Sequence, residues 1–378
     1  MDSILELENK INDLKKVDKE SYKLFNRIYS YYCNFGILKI IPTIKPIVLK
    51  YFGKRDIDGQ LISKEDEVFE NVRKQRIVSI FNEWTGQGTL YNSLRSKRPG
   101  MSSEPSEERK KLEELIQNSE EGCDFCNPEK RTPEDVFGRV RGRYSITAAN
   151  IAKYDVWSSL VIFKKHNPLE FNLKEFSDYI NTAFQWFDMV LTENENYKFP
   201  FFVWNCLPRA GASQVHGHAQ ILMTRDRSYA KVESLKRVIE KYKKETKSDY
   251  IKDLYTVHKS LGLSHKSGKV KLFASITPIK EKEIIVISPG PPSTMDQTKK
   301  IVFNILRCFI DVFGVESFNM SISCPLLNRV NDPPYIIQIV DRGNIFKSTA
   351  DIGGMELFGS TVVADDPYMI IKKLKDCV

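Results

Sequence analysis

Ser213-Gln-Val-His-Gly-His-Ala-Gln-Ile-Leu-Met223 contains two of the five histidines in a chain of 378 residues. The apolar residues at its end predict a β-strand, in which side chains two positions apart lie on the same face of a sheet. His216, His218 and Gln220 are therefore predicted to form a polar row. A strand face turned to solvent explains such a row as well as a functional site does, so the rest of the chain has to distinguish the two.

The composition is that of a soluble globular protein long enough for two or three domain-sized units, with 41% hydrophobic and 28% charged residues. No run of 18 apolar residues occurs and the first residues lack the build of a signal peptide, so no membrane association is expected. Five of the seven cysteines are scattered singly, which is typical of a reducing compartment: Cys33, Cys206, Cys308, Cys324 and Cys377. The sequence therefore predicts a cytoplasmic protein.

The net charge of +8 is spread along the chain, with one dense run from Lys236 to Lys247. A solvated helix face explains this run better than a nucleic-acid interface does, because no aromatic platform or known binding motif accompanies it. No nucleic-acid partner is expected. A basic balance also suits small phosphorylated ligands.

Cys123 and Cys126 form a Cys-x-x-Cys motif in a turn that ends at Pro128. A tight turn lets both thiolates reach one metal ion, but the motif alone is equally consistent with redox chemistry or with no site. A zinc finger needs a second ligand pair about 12–20 residues further on, and none follows. His166 lies just after a predicted strand, a position where ligands often lie.

Two further segments are suited to phosphate. Arg95, Lys97 and Arg98 precede Pro99, and guanidinium groups bind phosphate with paired hydrogen bonds, although a surface basic turn explains the spacing equally well. The small residues of Gly211-Ala-Ser213 would let backbone N–H groups approach a phosphate closely.

The pattern of elements predicts an α+β fold with an internal duplication. Strand, strand, helix, strand and strand occur twice, over residues 139–223 and 270–341, which indicates two similar halves with antiparallel sheets flanked by helices. Helical spacing covers residues 1 to about 32, returns over 64–81, and predicts one helix over 229–259. We therefore divide the chain into a helical N-terminal extension (1–74), a half with the histidine row (75–228) and a half without it (229–378).

Taken together, these motifs resemble the galactose-1-phosphate uridylyltransferase branch of the histidine-triad superfamily. The resemblance covers roughly residues 75–370 and rests on the row His216-x-His218-x-Gln220, the Cys-x-x-Cys motif and His166. It extends over residues that match the branch in type and spacing: Asn205, Gly211, Ser213, Arg95-Ser-Lys-Arg98-Pro99, and Asn150 at the place of a ribose-contacting asparagine.

The resemblance implies two histidine-triad-like halves and a double displacement through a nucleotidyl-histidine. His218 would be the nucleophile, and Gln220 would hold a phosphoryl oxygen where triad hydrolases have a third histidine. An amide cannot pass protons to water, so transfer to a phosphate acceptor would be favoured over hydrolysis. The residues implied to bind nucleotide and phosphate are Arg95, Arg98, Asn150, Asn205, Gly211, Ser213 and Gln220.

The resemblance also implies a zinc ion bound by Cys123, Cys126, His166 and His216. Four protein ligands leave no open coordination position, so this zinc would be structural and would fix the strand that carries His218.

The chain departs from the pattern of the branch at several positions. Gly217 and Val215 replace prolines, and Ile151 follows Asn150 where the uridylyltransferases have an acidic residue. The segment from Ala350 to Phe358 resembles the hexose-contacting stretch but lacks its tyrosine and needs a one-residue gap. The identity of the sugar therefore does not follow from the resemblance.

The resulting hypothesis is a nucleotidyltransferase that moves a nucleoside monophosphate between a nucleotide sugar or dinucleotide and a sugar 1-phosphate or orthophosphate. Phosphorolysis and uridylyl transfer are both open, with the altered hexose segment favouring a phosphorylase. The alternatives are a non-catalytic nucleotide-binding or interaction protein on the same scaffold, and a histidine-triad-type nucleotide hydrolase. Because the branch often completes its site across a dimer, a homodimer is also expected.

Overall fold

The structure is a computed structural model that describes residues 2–54, 60–97, 105–323, 334–347, 350 and 352–378. The first part of the chain contains six helices and three strands: α1 (Leu7–Val17), α2 (Lys19–Ile28), β1 (Tyr29–Ile37), α3 (Lys45–Phe52), α4 (Glu65–Arg73), β2 (Lys74–Asn82), β3 (Gly88–Tyr91), α5 (Pro105–Asn118) and α6 (Pro128–Arg131). Short 3₁₀ turns lie at Ile4–Glu6, Pro42–Ile44, Ser93–Lys97 and Asp124–Cys126.

The rest of the chain repeats one succession of elements. The first copy is β4 (Ser145–Ala149), β5 (Trp157–Phe163), α7 (Leu173–Glu193), β6 (Phe199–Cys206) and β7 (His218–Thr224). After α8 (Ala230–Thr246), α9 (Tyr250–Ser260) and β8 (Ser264–Ser267), the second copy is β9 (Val270–Ala274), β10 (Ile284–Ser288), α10 (Asp296–Arg307), β11 (Phe318–Ser323) and β12 (Tyr335–Asp341). The chain then forms α11 (Gly354–Phe358), β13 (Thr361–Val363) and α12 (Pro367–Lys375).

Both copies belong to one nine-stranded sheet in the order β4-β5-β7-β6-β11-β12-β10-β9-β8. All of its pairings are antiparallel, and β6 joins β11 at the centre. The second copy thus repeats the strand order of the first in reverse, with β8 added at the edge. The predicted α+β fold with two similar halves is confirmed.

The two faces of this sheet have different surroundings. One face carries Phe163, Trp204, Met320 and Ile337, and it is buried under α7 and α10. Helix α7 begins at a capping box formed by Asn172 and Glu175, which satisfies backbone N–H groups of its first turn. The opposite face is half-buried along β6, β11 and β12, and it carries the side chains of the candidate site.

The N-terminal part contains a strand that the helical pattern did not predict. The helix expected to reach about residue 32 ends at Ile28, and the aromatic stretch that follows forms β1, which pairs with β2. The helix expected over 64–81 likewise ends at Arg73. Aromatic residues favour strands, and the strand partner in each case is far away in the sequence. The small sheet β1-β2-β3-β13 is the result.

The small sheet packs against the second half of the large one. The Tyr91 hydroxyl donates to the Ile276 carbonyl at 3.0 Å, and the Asn82 amide donates to the Tyr250 hydroxyl at 2.9 Å. The division at residues 74 and 228 stays a prediction, although β1 and β2 pair across the first of these positions. In the described part of the chain, no helix is long and apolar enough to cross a membrane.

Candidate metal centre and active site

Four side chains from separate segments converge into one cluster. Cys123 precedes a 3₁₀ turn that ends at Cys126, His166 follows β5, and His216 precedes β7. Their ligand atoms all lie within 4.8 Å of one another. The cluster brings together the four residues that the sequence resemblance had assigned to zinc.

The hydrogen bonds of both imidazoles direct the same nitrogen into the cluster. His216 Nε2–H donates to the Phe163 carbonyl at 2.7 Å, and His166 Nε2–H lies 3.1 Å from the Ile116 carbonyl and 2.9 Å from Ser119 Oγ. These contacts fix the tautomers and leave each Nδ1 lone pair facing the thiols. Burial lowers the pKa of His216 to about 4, which keeps that ring neutral, as a metal ligand must be.

The spacing of the ligand atoms fits a tetrahedral zinc ion. Zn–S bonds of about 2.3 Å and Zn–N bonds of about 2.0 Å place sulfur and nitrogen about 3.5 Å apart, and two nitrogens about 3.3 Å apart. Cys123 Sγ and Cys126 Sγ each lie 3.5 Å from His216 Nδ1, and Cys126 Sγ lies 3.4 Å from His166 Nδ1. The two Nδ1 atoms are 3.1 Å apart. The donor set and its dimensions therefore fit a four-coordinate zinc.

His218, the first residue of β7, has its ring held by the backbone. Its Nδ1–H donates to the His216 carbonyl at 2.8 Å, which leaves the Nε2 lone pair as the available nucleophile. Burial lowers the pKa of His218, so the neutral form is favoured. The Phe125 ring meets the imidazole edge-on, with centroids 5.2 Å apart. A residue of the Cys-x-x-Cys turn thus contacts both histidines of the pair.

The predicted polar row is shorter than expected. Because β7 begins at His218, His216 lies outside the strand and turns towards the metal cluster. His218 and Gln220 remain two positions apart on one strand face, and Gln220 is half-buried. The row therefore divides into His216, which belongs to the four-residue cluster, the buried imidazole of His218 and the half-buried amide of Gln220.

Gly217 separates the two histidines, where the resembling branch has proline. Its N–H donates to the His166 carbonyl at 2.9 Å, and its carbonyl accepts from the Phe163 N–H at 2.9 Å. A Cβ at this position would lie 2.6 Å from Phe163 Cδ2, closer than real Cβ atoms approach a neighbour. Proline would also lack the N–H. The backbone of this chain therefore requires glycine here.

The side chain of Asn205 accepts a hydrogen bond from a residue of the second half of the protein. Its position on β6 pairs with Asn319 on β11, whose amide donates to Asn205 Oδ1 at 2.7 Å and to the Ala210 carbonyl at 2.9 Å. Arg342 Nη1 in turn donates to Asn319 Oδ1. Asn319 and Arg342 could not be predicted from the sequence, because their proximity to Asn205 depends on the pairing of two strands more than a hundred residues apart.

Three other predicted residues lie around the same sheet face or its end. Asn150 follows β4 and is half-buried, and its N–H donates to the Ser158 carbonyl at 3.1 Å. Gly211 and Ser213 are exposed in the loop between β6 and β7, where Gly211 adopts a φ of 95° that favours glycine. This loop leads directly into the histidine pair.

Arg95 lies in a basic pocket of about 260 Å³, and Arg98 lies outside the described residues. Five more cations line this pocket in addition to Arg95, together with four carboxylates: Arg209, Lys280, Lys282, Arg342 and Lys347, and Glu281, Asp341, Glu356 and Asp365. Ala350 and Glu356, from the segment that resembles the hexose-contacting stretch, line it as well. Arg342 connects the pocket to Asn205 through Asn319.

No protein-family model matches the sequence, and a search of curated proteins finds no significant match. Solved structures do match. An ADP-glucose phosphorylase from Arabidopsis thaliana with bound ADP-glucose is 15% identical, with 78% of this chain and 96% of that chain covered and a TM-score of 0.58. A galactose-1-phosphate uridylyltransferase-like protein from the same plant (16% identity, 68% and 92% covered) has a TM-score of 0.55. A uridylyltransferase (14% identity, 65% and 88% covered) has a TM-score of 0.52.

These similarities show the class of fold, which this chain shares with uridylyltransferase-like proteins. The predicted resemblance to the galactose-1-phosphate uridylyltransferase branch is confirmed by them. At these identities they describe the fold alone.

Proposed function

We propose that this chain is a nucleotidyltransferase that acts through a covalent nucleotidyl-histidine on His218. The observation that carries the proposal is the 2.8 Å hydrogen bond from His218 Nδ1–H to the His216 carbonyl. It presents an unprotonated Nε2 at the end of a strand, beside a loop suited to phosphate. A buried neutral imidazole of this kind is an activated nucleophile for phosphorus.

In the first step, the Nε2 lone pair of His218 forms a bond to the α-phosphorus of a nucleotide sugar or dinucleotide. The bond from phosphorus to the bridging oxygen breaks, and the phosphorylated leaving group departs with that electron pair. The ring becomes cationic, and the His216 carbonyl stabilises it by accepting the Nδ1–H hydrogen bond. In the second step, an oxygen of orthophosphate or a sugar 1-phosphate attacks phosphorus, and the P–N electron pair returns to Nε2.

The surrounding residues would bind and orient the phosphates. Gln220, on the strand face of His218, would hold a phosphoryl oxygen. The Gly211–Ser213 loop would contact the phosphates through Ser213, because the Gly211 and Ala212 N–H groups donate to the Pro208 and Leu207 carbonyls. Asn205, Asn150 and Arg95 would contact the nucleotide and its phosphates, with Arg98 assigned by resemblance only. The cations around Arg95 would attract an anionic acceptor.

The bound metal is proposed to be a structural zinc held by Cys123, Cys126, His166 and His216. When bound, it would fix the end of β5 against the start of β7, because His166 follows β5, His216 precedes β7 and the Gly217 N–H donates to the carbonyl of His166. The donor distances given above support this assignment.

A trapping experiment tests the function. The protein is incubated with ADP-, UDP- or GDP-glucose labelled at the α-phosphorus, with and without orthophosphate. We expect an acid-labile, base-stable label on the wild-type chain that orthophosphate or a sugar 1-phosphate removes as a nucleoside diphosphate or a new nucleotide sugar. His218→Asn should carry no label, whereas His265→Asn, in a half-buried histidine of β8, should label normally.

Three results would contradict the proposal. Label that persists in His218→Asn would exclude this nucleophile. Release as a nucleoside monophosphate without any acceptor would indicate a hydrolase. Nucleotide binding of equal affinity in wild type and His218→Ala, without turnover for any acceptor, would indicate a non-catalytic nucleotide-binding protein.

We further propose a cytoplasmic homodimer. The six described cysteines form no disulfide bond with one another, as a reducing compartment favours. Light scattering coupled to size-exclusion chromatography would measure the mass of the assembly, and a mass of 43.7 kDa, that of one chain, would contradict dimerisation.

A further inference from the structure

The second half of the sheet contains positions equivalent to those of His218 and Gln220. Gln220 on β7 is paired with Leu160 and Val203, on β5 and β6. Gln338 on β12 is paired in the same way with Ile285 and Ser321, on β10 and β11. Gln338 is therefore the counterpart of Gln220. Two positions earlier, Ile336 takes the place of His218.

A cavity of about 420 Å³ lies in front of this second position. Its floor is the sheet face with Ile285, Ile336 and Gln338, and helices α8 and α9 cover it with Leu235, Val238 and Leu254. Its volume falls within the range of small-molecule sites, about 300–1,000 Å³, and such sites are mainly apolar with a few placed polar groups.

The N-terminal part of the chain closes one end of the cavity. Tyr29 from β1 and Asn82 from β2 both line it, and the hydrogen bond from Asn82 to the Tyr250 hydroxyl connects β2 with α9 across the wall. The small sheet thus completes a compartment that the large sheet and the two helices alone would leave open. This gives the first ninety residues a part in building a site.

The polar groups of the cavity are mostly neutral. Among the described residues that line it, Lys231 is the only one with a cationic side chain. The neutral hydrogen-bonding groups are Asn82, Thr85, Gln87, Ser234, Ser275, Thr277 and Gln338. Gln338 donates to Glu283, which is buried behind it, and burial raises the pKa of that carboxyl to about 7. A polyphosphate would bind poorly here, because its several negative charges would meet a single cation among the described lining residues. Amide and hydroxyl groups between apolar walls are better suited to an uncharged ring system.

We propose that the cavity between the second half of the sheet and helices α8 and α9 is a separate binding site for an uncharged, ring-containing, mainly apolar small molecule. The site performs no nucleotidyl transfer, because Ile336 has no nucleophile. It is independent of the function proposed for His218.

The test uses N-phenyl-1-naphthylamine, an uncharged aromatic dye whose fluorescence rises in apolar surroundings. Ile336→Trp fills the cavity from the sheet, and Val238→Trp fills it from α8. Two variants on opposite walls are used because one of them alone could disturb folding. We expect one dye molecule per wild-type chain and an affinity at least tenfold weaker in each variant, with unchanged circular dichroism. His218→Asn should bind the dye like the wild type, and both tryptophan variants should still label at His218.

Unchanged dye affinity in a folded Ile336→Trp or Val238→Trp chain would overturn the proposal. Loss of dye binding in His218→Asn would overturn it as well, because the dye would then occupy the first site. If a second copy of the chain filled the cavity, the apparent dye affinity would fall as the protein concentration rises, and this result would also count against a small-molecule site.

Discussion

The two halves of the large sheet have the same strand order but different groups at the equivalent place. In the first half, His218 and Gln220 lie beside a four-ligand cluster and a loop of small residues. In the second half, Ile336 and Gln338 face a mainly apolar cavity under two helices. In both halves, the same pairing of strands fixes where the side chains lie, whereas the segments that cover the sheet determine which chemistry is possible there. The amide two positions along the strand is present in both.

Exchanging the key residues of the two halves gives the largest expected effect. His218→Asn should lower the turnover number at least about a thousandfold, because the covalent step loses its nucleophile. Ile336→His should restore no labelling in that background, since the cavity in front of residue 336 lacks the small-residue loop and has Lys231 as the one cation among its described lining residues. Stopped-flow and quench assays with labelled nucleotide sugars measure both. Labelling at residue 336 would break the comparison.

Metal removal should affect the first half more strongly than the second. In Cys123→Ser, we expect zinc content to fall from about one per chain to near zero and the melting temperature to fall by several degrees, because a bound metal stabilises only the folded site. Inductively coupled plasma mass spectrometry measures the zinc. Hydrogen exchange should increase mainly around β5 and β7. The control is Cys33→Ser, in β1, which should change the zinc content and the melting temperature much less. An unchanged zinc content in Cys123→Ser would contradict the assigned ligands.

Glu283 should make the second half sensitive to pH. Its pKa is raised by burial to about 7 in the folded chain, so between about pH 4.5 and 7 the folded state holds a proton that the unfolded state has released. Rising pH therefore lowers the free energy of unfolding over this window, by at most about 1.4 kcal/mol per pH unit. Glu283→Gln removes this contribution.

Denaturant unfolding at several pH values tests whether the contribution of Glu283 to the free energy of unfolding decreases as the pH rises. The stability of Glu283→Gln relative to wild type should increase from pH 4.5 to 7 and then stay constant. A difference that is the same at all pH values, or that decreases with rising pH, would show that the carboxyl is not protonated in the folded chain.

The smallest of these effects concerns the glycine between the histidines. Gly217→Ala should cost about 1–3 kcal/mol of unfolding free energy, because the added Cβ would lie 2.6 Å from Phe163 Cδ2 and 3.3 Å from Pro168 Cα. Gly354→Ala is the matched control, since its Cβ would have no neighbour within 4 Å. Equal stabilities of the two variants, measured in urea, would contradict the close packing at Gly217.

Much of the candidate site around His218 could be predicted from the sequence, because its residue types have distinctive chemistry. Cysteines and histidines are rare in this chain, and few kinds of site use them in pairs, so their spacing points to a metal cluster and a nucleophile. The fold was predicted from the duplicated order of strands and helices. The strand β1 was missed because Tyr29 to Phe35 fits both a helical and a strand period until its partner β2 is known. Asn319 was missed because its role depends on the pairing of β11 with β6.

The cavity of the second half could not be predicted from the sequence either. A single helix was predicted over 229–259, but Lys247 adopts a left-handed conformation and Asp249 caps a second helix. The resulting turn between α8 and α9 lets both helices cover the sheet. A basic stretch with continuous helical spacing contains no strong signal for such a break, because lysine is usually a good helix former.

The central pairing of β6 with β11 has a consequence for biosynthesis. The two strands are separated by more than a hundred residues, so β6 leaves the ribosome with one edge unpaired until β11 has been made. At bacterial to eukaryotic synthesis rates this interval is roughly ten seconds. An open strand edge favours association with other chains. We therefore expect the protein to depend most on chaperones while only its first half has been synthesised. The hydrogen bond between Asn205 and Asn319 can form only after β11 has been made.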